Sequence, residues 1–389
     1  MTRLLQMTAM AGVLAFTVLP PQAQAQDQEP IRIGLIAPFS GPFALYGKQM
    51  EIGMQAYMKV HGDTVAGRKI EIIKRDTTGP LPEVSKRLAQ ELVVRHHVDF
   101  LAGFAFTPEV GAVGAIADQA KVPMVIMNAA GGGITLKSKY AVRASMSLPQ
   151  IAAPMASWAL KNNIKTVVTM VSDYQPGFDS ENAFKKVFVE GGGKVLESLH
   201  VPVSSPDFAP YIQRIKDLKP DAMFIFVPGG EQGIAIMKSY RERGLEQAGI
   251  KIVAVGNMVD DHTLPAMGDV ALGLVTSFHY SIAHKSPENA AFLKAYSEVE
   301  PDGGRPDYLA VGGYDGMAII YQATKKLDGK LGGDRVMDAV RGMEIKSPRG
   351  VVSIDPKTRD MVQTIYIRRV EKVDGQLYNV EFDEFANVH

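Results

Sequence analysis

From residue 31 onward the chain alternates short apolar runs with longer segments whose apolar residues recur at helical spacing. Ile31 to Ile36 reads as a strand, and Gly47 to Val60 as a helix carrying Met50, Met54, Tyr57 and Met58 on one stripe. Lys69 to Ile73 is again strand-like, Pro82 to His96 helical, Val98 to Ala102 strand, and Thr107 to Ala120 helical. Strands at Val122 to Ile126 and Tyr140 to Arg143 close this first series. A second series restarts with a helix at Ala153 to Lys161 and a strand at Thr166 to Val171. It continues through Ser180 to Glu190 (helix), Lys194 to His200 (strand) and Phe208 to Leu218 (helix). Ala222 to Val227, an almost unbroken apolar run, suits a strand buried on both faces. Gln232 to Arg243 is helical, and Lys251 to Val255 and Gly273 to Phe278 are strands. Strand and helix in alternation predict parallel sheets flanked by helices, so the expected fold class is α/β with two doubly wound lobes in tandem. The remaining pattern, helices at Glu288 to Val299, Tyr308 to Lys326 and Gly333 to Gly342, then a hairpin of Gly350 to Ile354 and Met361 to Arg369, supplies no third lobe.

The first 25 residues break this pattern. Arg3, the apolar run Leu4 to Leu19 and the triplet Ala23-Gln24-Ala25 have the parts of a secretory signal peptide, with cleavage expected after Ala25. The run is interrupted by Gln6 and Thr8 and falls short of the roughly 20 apolar residues that span a bilayer. The expected product is exported and soluble. Taking 25 residues from 389 leaves more than one core usually holds, which agrees with two lobes. With no Cys anywhere, an exported chain has no disulfide framework and no thiol chemistry. Lys+Arg and Asp+Glu both count 42, so no polybasic surface for nucleic acid or anionic membrane is expected. Neither a G-x-S-x-G elbow nor a G-x-G-x-x-G after the first strand is present, and the His residues lack metal-like spacing. No catalytic residue, metal site or cofactor is therefore expected.

Several segments in register resemble one family. They are Ile33-Gly34-Leu35-Ile36-Ala37-Pro38-Phe39-Ser40-Gly41-Pro42 with Tyr46-Gly47, Ala66 to Ile73 ending in Asp76, Val98 to Gly103, Val122 to Ile126 before Asn128-Ala129-Ala130, Ser172 to Gly177, Lys219-Pro220-Asp221-Ala222, and the Gly350 hairpin. Together they span the whole mature chain and resemble the periplasmic solute-binding proteins of ABC importers, in the leucine/isoleucine/valine-binding (type I) family. The resemblance implies two lobes joined by a three-crossover hinge, a ligand clamped between them, permease subunits at the inner membrane as partners, and a monomer in the periplasm. It places residues 30–145 and 279–348 in lobe 1, and residues 146–278 and 349–389 in lobe 2.

Candidate binding residues lie where ligands sit in α/β sheets, beyond the carboxyl ends of strands. Thr107-Pro108-Glu109 reads as a helix start with Thr at the N-cap, and free N–H groups there would also hold an anion. The family sets a Ser or Thr here against the ligand carboxylate. Ala129, Ala130 and Gly131, small enough to admit a ligand to the backbone, match family positions that bond it; many members carry Thr or Ser at the second or third of these, so one polar contact is missing here. Tyr46 and Tyr174 stand in post-strand loops, where aromatics either pack or line pockets, and Phe43, Phe104 and Phe106 add apolar surface. Met127, Pro228 and Met258 are further apolar candidates.

After the strand at Lys251 to Val255, amino-acid-binding relatives carry an acidic residue for the ligand's ammonium. This chain has Asn257, with Asp260 and Asp261 farther on. Unless Asp260 reaches the cleft, an α-ammonium would be buried without a counter-charge. The expected ligand is a small carboxylate, with an aromatic acid favoured over leucine or valine. A branched-chain amino-acid binder, a ligand-sensing receptor and an exported α/β enzyme are the alternatives.

Overall fold

The computed structural model describes residues 29–204, 206–301 and 304–389, so the leader expected at residues 1–25 lies outside the described residues. Among the described residues two sheets form. The first contains β1 (Ile31–Ala37), β2 (Thr64–Val65), β3 (Arg68–Asp76), β4 (Phe100–Gly103), β5 (Met124–Ile126) and β6 (Ala141–Arg143), in the order β2-β3-β1-β4-β5-β6. All its pairings are parallel except that of the short β2 with β3. Helices α1 (Ala44–His61), α2 (Pro82–His96) and α3 (Thr107–Ala120) make its crossovers.

The second lobe opens with α4 (Leu148–Lys161), then β7 (Thr166–Ser172), α5 (Gln175–Glu190), β8 (Lys194–Val201), α6 (Ala209–Leu218), β9 (Ala222–Phe226), α7 (Glu231–Glu242), β10 (Lys251–Val255), the single turn α8 (Leu264–Met267) and β11 (Val275–Phe278). The chain then returns to the first lobe with α9 (Pro287–Val299), α10 (Tyr308–Lys326) and α11 (Gly333–Val340). It crosses back as β12 (Glu344–Ser347), β13 (Gly350–Ile354), β14 (Met361–Val373) and β15 (Gln376–Val388). The second sheet runs β12-β13-β14-β11-β10-β9-β7-β8, with β15 on β14. Its centre is parallel, and β14 joins β11 antiparallel.

Burial follows the apolar pattern. Every residue of β9 is buried, as its unbroken apolar run requires, whereas β8 at one margin is mostly half-buried and β15 at the other is mostly half-buried or exposed. α10 docks on α1 closely enough that a Cβ on Gly53 would fall 1.9 Å from the Ala310 carbonyl oxygen. Each passage between the lobes is held by a fully buried arginine. Arg143 donates to the carbonyls of Ala129 (2.6 Å), Met146 (2.8 Å) and Gly131 (2.7 Å) and pairs with Asp360. Arg349 pairs with the buried Asp315 and donates to Ala144 O at 2.6 Å. Arg368 donates to Tyr280 O and to Thr276 Oγ1 (3.1 Å), with its guanidinium 4.9 Å from the Phe278 ring centre. Backbone carbonyls at chain crossings have no sheet partner, and these guanidinium forks satisfy several at once.

The boundaries differ from expectation at informative places. α4 begins at Leu148 rather than Ala153, because Ser147 and Gln150 close a capping box that tolerates the internal Pro154. α5 begins at Gln175 instead of Ser180, so Tyr174 is its N-cap residue and not a loop residue. Tyr46 likewise sits in the first turn of α1. β2, β12 and β15 carry no apolar pattern strong enough to announce them.

Candidate functional site

A small, tightly closed cavity lies between the lobes. Its walls are the residues just past the carboxyl ends of the parallel strands. β4 leads to Ala105, Phe106 and Thr107, β5 to Asn128 and Ala130, and β6 to Met146 and Leu148. From the second lobe, β7 leads to Tyr174 and Pro176, β9 to Phe226 and Pro228, and β10 to Asn257. Tyr46 of α1 completes the lining. This is the crevice that a parallel sheet offers, since helix starts and loops gather at that edge.

Two stacked aromatic pairs form its walls. Tyr46 and Phe106 stack with ring centres 5.6 Å apart and planes 15° apart, and Phe43 packs edge-on against both. Tyr174 and Phe226 stack at 6.2 Å and 16°.

The polar groups divide by lobe. Thr107 Oγ1 accepts the Gly131 N–H at 3.0 Å, leaving its own proton free to donate at the start of α3, where helical N–H groups are unpaired. Gly131 must be glycine, for a Cβ there would stand 2.6 Å from Thr107 Cγ2. The helix is not capped by Thr107, as its sequence suggested. Phe106 is the N-cap residue, and its N–H is met by Glu109 Oε2 at 3.0 Å. Glu109 is fully buried, and burial pushes its carboxyl up to about 7. On the second lobe, Asn257 Nδ2 donates to Tyr308 Oη at 3.1 Å. Asn128 Nδ2 donates to Ala105 O at 2.7 Å. Both asparagines leave a buried Oδ1 without a partner among the described residues.

The lobes are latched across the cavity. Tyr46 Oη donates to Pro228 O, and Gly132 N–H donates to Asp179 Oδ2 at 2.8 Å. Burial drives the Tyr46 and Tyr308 phenols far above their ordinary range, so both stay protonated.

Of the residues singled out from the sequence, Tyr46, Phe106, Thr107, Ala130, Tyr174, Pro228 and Asn257 line the cavity together. Ala129 and Gly131 stand one step behind it; Ala129 N–H bonds Phe104 O, its carbonyl accepts Arg143, and Gly131 acts through Thr107. Met258 is not in the lining. It is fully buried in the second lobe's core, because the short helical turn after β10 points it inward. Phe104 and Met127 are core residues as well. Ala105, Asn128, Met146, Leu148, Pro176 and Phe226 were missed; Asn128 and Phe226 could have been found from their places at strand ends.

The acidic residues stay out of the lining. Asp260 caps Thr263 through its N–H (2.8 Å) and hydroxyl (2.7 Å), and Asp261 accepts from Asn379 Nδ2 and the Ile282 N–H. Every lining residue among those described is neutral.

This fold and cleft are those of a bilobal receptor that closes on a small solute. The family model described as periplasmic binding protein matches residues 30–376, and the chain belongs to that family. It is 44% identical over 375 residues to the Leu/Ile/Val-binding protein homolog 6 of Brucella melitensis biotype 1, covering 96% of each chain. Among solved structures it is similar to an ABC transporter solute-binding protein of Rhodopseudomonas palustris BisB5 in complex with 3,4-dihydroxybenzoic acid (50% identity, TM-score 0.89, covering 93% of this chain and 98% of the other). A second is the solute-binding protein of Rhodopseudomonas palustris HaA2 in complex with p-hydroxybenzoic acid (42% identity, TM-score 0.90, covering 92% and 98%). The type I fold expected from the sequence is thereby established. Among the described residues no helix is long and apolar enough to cross a membrane.

Proposed function

We propose that this chain is the extracytoplasmic receptor of an ABC importer, taking a small aromatic carboxylate into the cleft and handing it to permease subunits at the inner membrane. The carrying observation is the neutral lining. A donor pole stands at Thr107 and the start of α3, aromatic pairs form the walls, and no carboxylate faces the cavity. A ligand carboxylate gains charge-assisted bonds at the first lobe, while an α-ammonium would be desolvated with nothing to offset the cost. The complexes of the two Rhodopseudomonas proteins support the same ligand class.

The receptor acts as a periplasmic monomer and catalyses nothing. Residues 30–145 with 279–348 form one moving lobe, and residues 146–278 with 349–389 the other. Calorimetry on the mature protein with benzoate, hydroxybenzoates, leucine, isoleucine and valine tests this reading. Saturable binding of aromatic acids with weaker or absent binding of the amino acids is expected. Tight leucine binding with silent aromatic acids would replace it with the branched-chain reading.

A further inference from the structure

Asn257 faces the cavity with a polarity that its neighbours dictate. Asn257 Nδ2 donates to Tyr308 Oη at 3.1 Å, so the side of the amide turned toward Tyr308 is the NH2.

Asn257 Oδ1 is therefore a pure acceptor, in a residue 5% exposed, on the cavity wall and without a protein partner among the described residues. A buried acceptor left unmatched is costly, so a ligand that matches it gains more than one bond's ordinary worth. Asn128, on the first lobe, has its NH2 held by Ala105 O and its own Oδ1 without a partner among the described residues.

We propose that the ligand is a hydroxylated aromatic acid whose ring hydroxyl, remote from the carboxylate, donates to Asn257 Oδ1. This rests on the aromatic-carboxylate reading and narrows it. The carboxylate cannot occupy this end, since it offers only lone pairs to an acceptor. Asn257 of the second lobe bonds Tyr308 of the first, so a ligand that fixes Asn257 also holds this contact between the lobes.

The test is calorimetry on the mature protein with benzoate, 3- and 4-hydroxybenzoate, 4-aminobenzoate and 4-fluorobenzoate, in wild type and Asn257→Leu. The better hydroxybenzoate should bind on the order of 10- to 100-fold tighter than benzoate, the range expected when a buried acceptor is matched. The fluoro compound, similar in size but without the proton, should bind no better than benzoate. If the better hydroxybenzoate is the 4-isomer, the amino compound should retain part of the gain. In Asn257→Leu the preference for hydroxybenzoate over benzoate should vanish. Equal binding of benzoate and both hydroxybenzoates by wild type would overturn the inference and leave the aromatic-acid reading intact. Failure of every aromatic acid would overturn both. A hydroxyl preference surviving in Asn257→Leu would overturn the assignment to this residue. The wild-type series decides the donor requirement without reliance on any variant.

Discussion

Replacing Glu109 by Gln removes a carboxyl that is fully buried in the first turn of α3, directly behind the cavity wall. Burial raises it to about 7, against an ordinary 4.5. In the unfolded chain it ionises near 4.5, so between those values the folded state holds more protons and stability falls as pH rises. The contribution is fully present below 4.5 and is lost as pH climbs through 7. At 1.36 kcal/mol for each pH unit separating the two values, the loss is about 3 kcal/mol by pH 8. Gln preserves the acceptor for the Phe106 N–H, and its NH2 is placed near Thr77, whose hydroxyl is otherwise unpartnered. Urea unfolding of wild type and Glu109→Gln at pH 4.5 and pH 8 is the assay. The variant should gain about 2–3 kcal/mol relative to wild type on moving from pH 4.5 to pH 8. An identical difference at both pH values would mean that Glu109 ionises like any exposed carboxylate, and the reasoning from its burial would fail.

Thr107→Ala should weaken aromatic-acid binding by about 1.5–3 kcal/mol, the worth of a bond to a charged group, while Thr107→Ser, which keeps both the proton and the acceptor for Gly131, should bind nearly as wild type in calorimetry. Tyr46→Phe keeps the stack on Phe106 but loses the cross-cleft bond to Pro228; affinity should fall by about 1 kcal/mol, and small-angle scattering should show less compaction at subsaturating ligand than for wild type. Arg143→Met strands Asp360 and frees the carbonyls of Ala129 and Gly131, so thermal unfolding should report a loss of about 3–5 kcal/mol.

The α/β order was legible because each buried strand and each helix carries its own apolar period. β9 reads as a strand from five consecutive apolar residues, and α10 as a helix from nineteen residues without a break. β15 was not legible: it lies at the sheet margin, and its second half, with Asp383 and Glu384, is largely exposed, so no core face imposes an alternation. The start of α4 was hidden by Pro149 and Pro154, although Ser147 and Gln150 already spell a capping box. The strand-end rule pointed to Thr107, Ala130, Tyr174 and Asn257, which line the cavity. Met258 was misplaced because one step along a short helical turn exchanges cleft for core. The role of Asn257 needed the three-dimensional structure, for its free acceptor is the side of the amide turned away from Tyr308, which is distant in sequence.

A crystal structure of the mature protein with the better-binding hydroxybenzoate tests the account most directly. The carboxylate should lie against the Thr107 hydroxyl and the start of α3, with the ring between the Tyr46–Phe106 and Tyr174–Phe226 pairs and the hydroxyl on Asn257 Oδ1. A carboxylate turned toward Asn257, or a ligand bound outside this cleft, would contradict it.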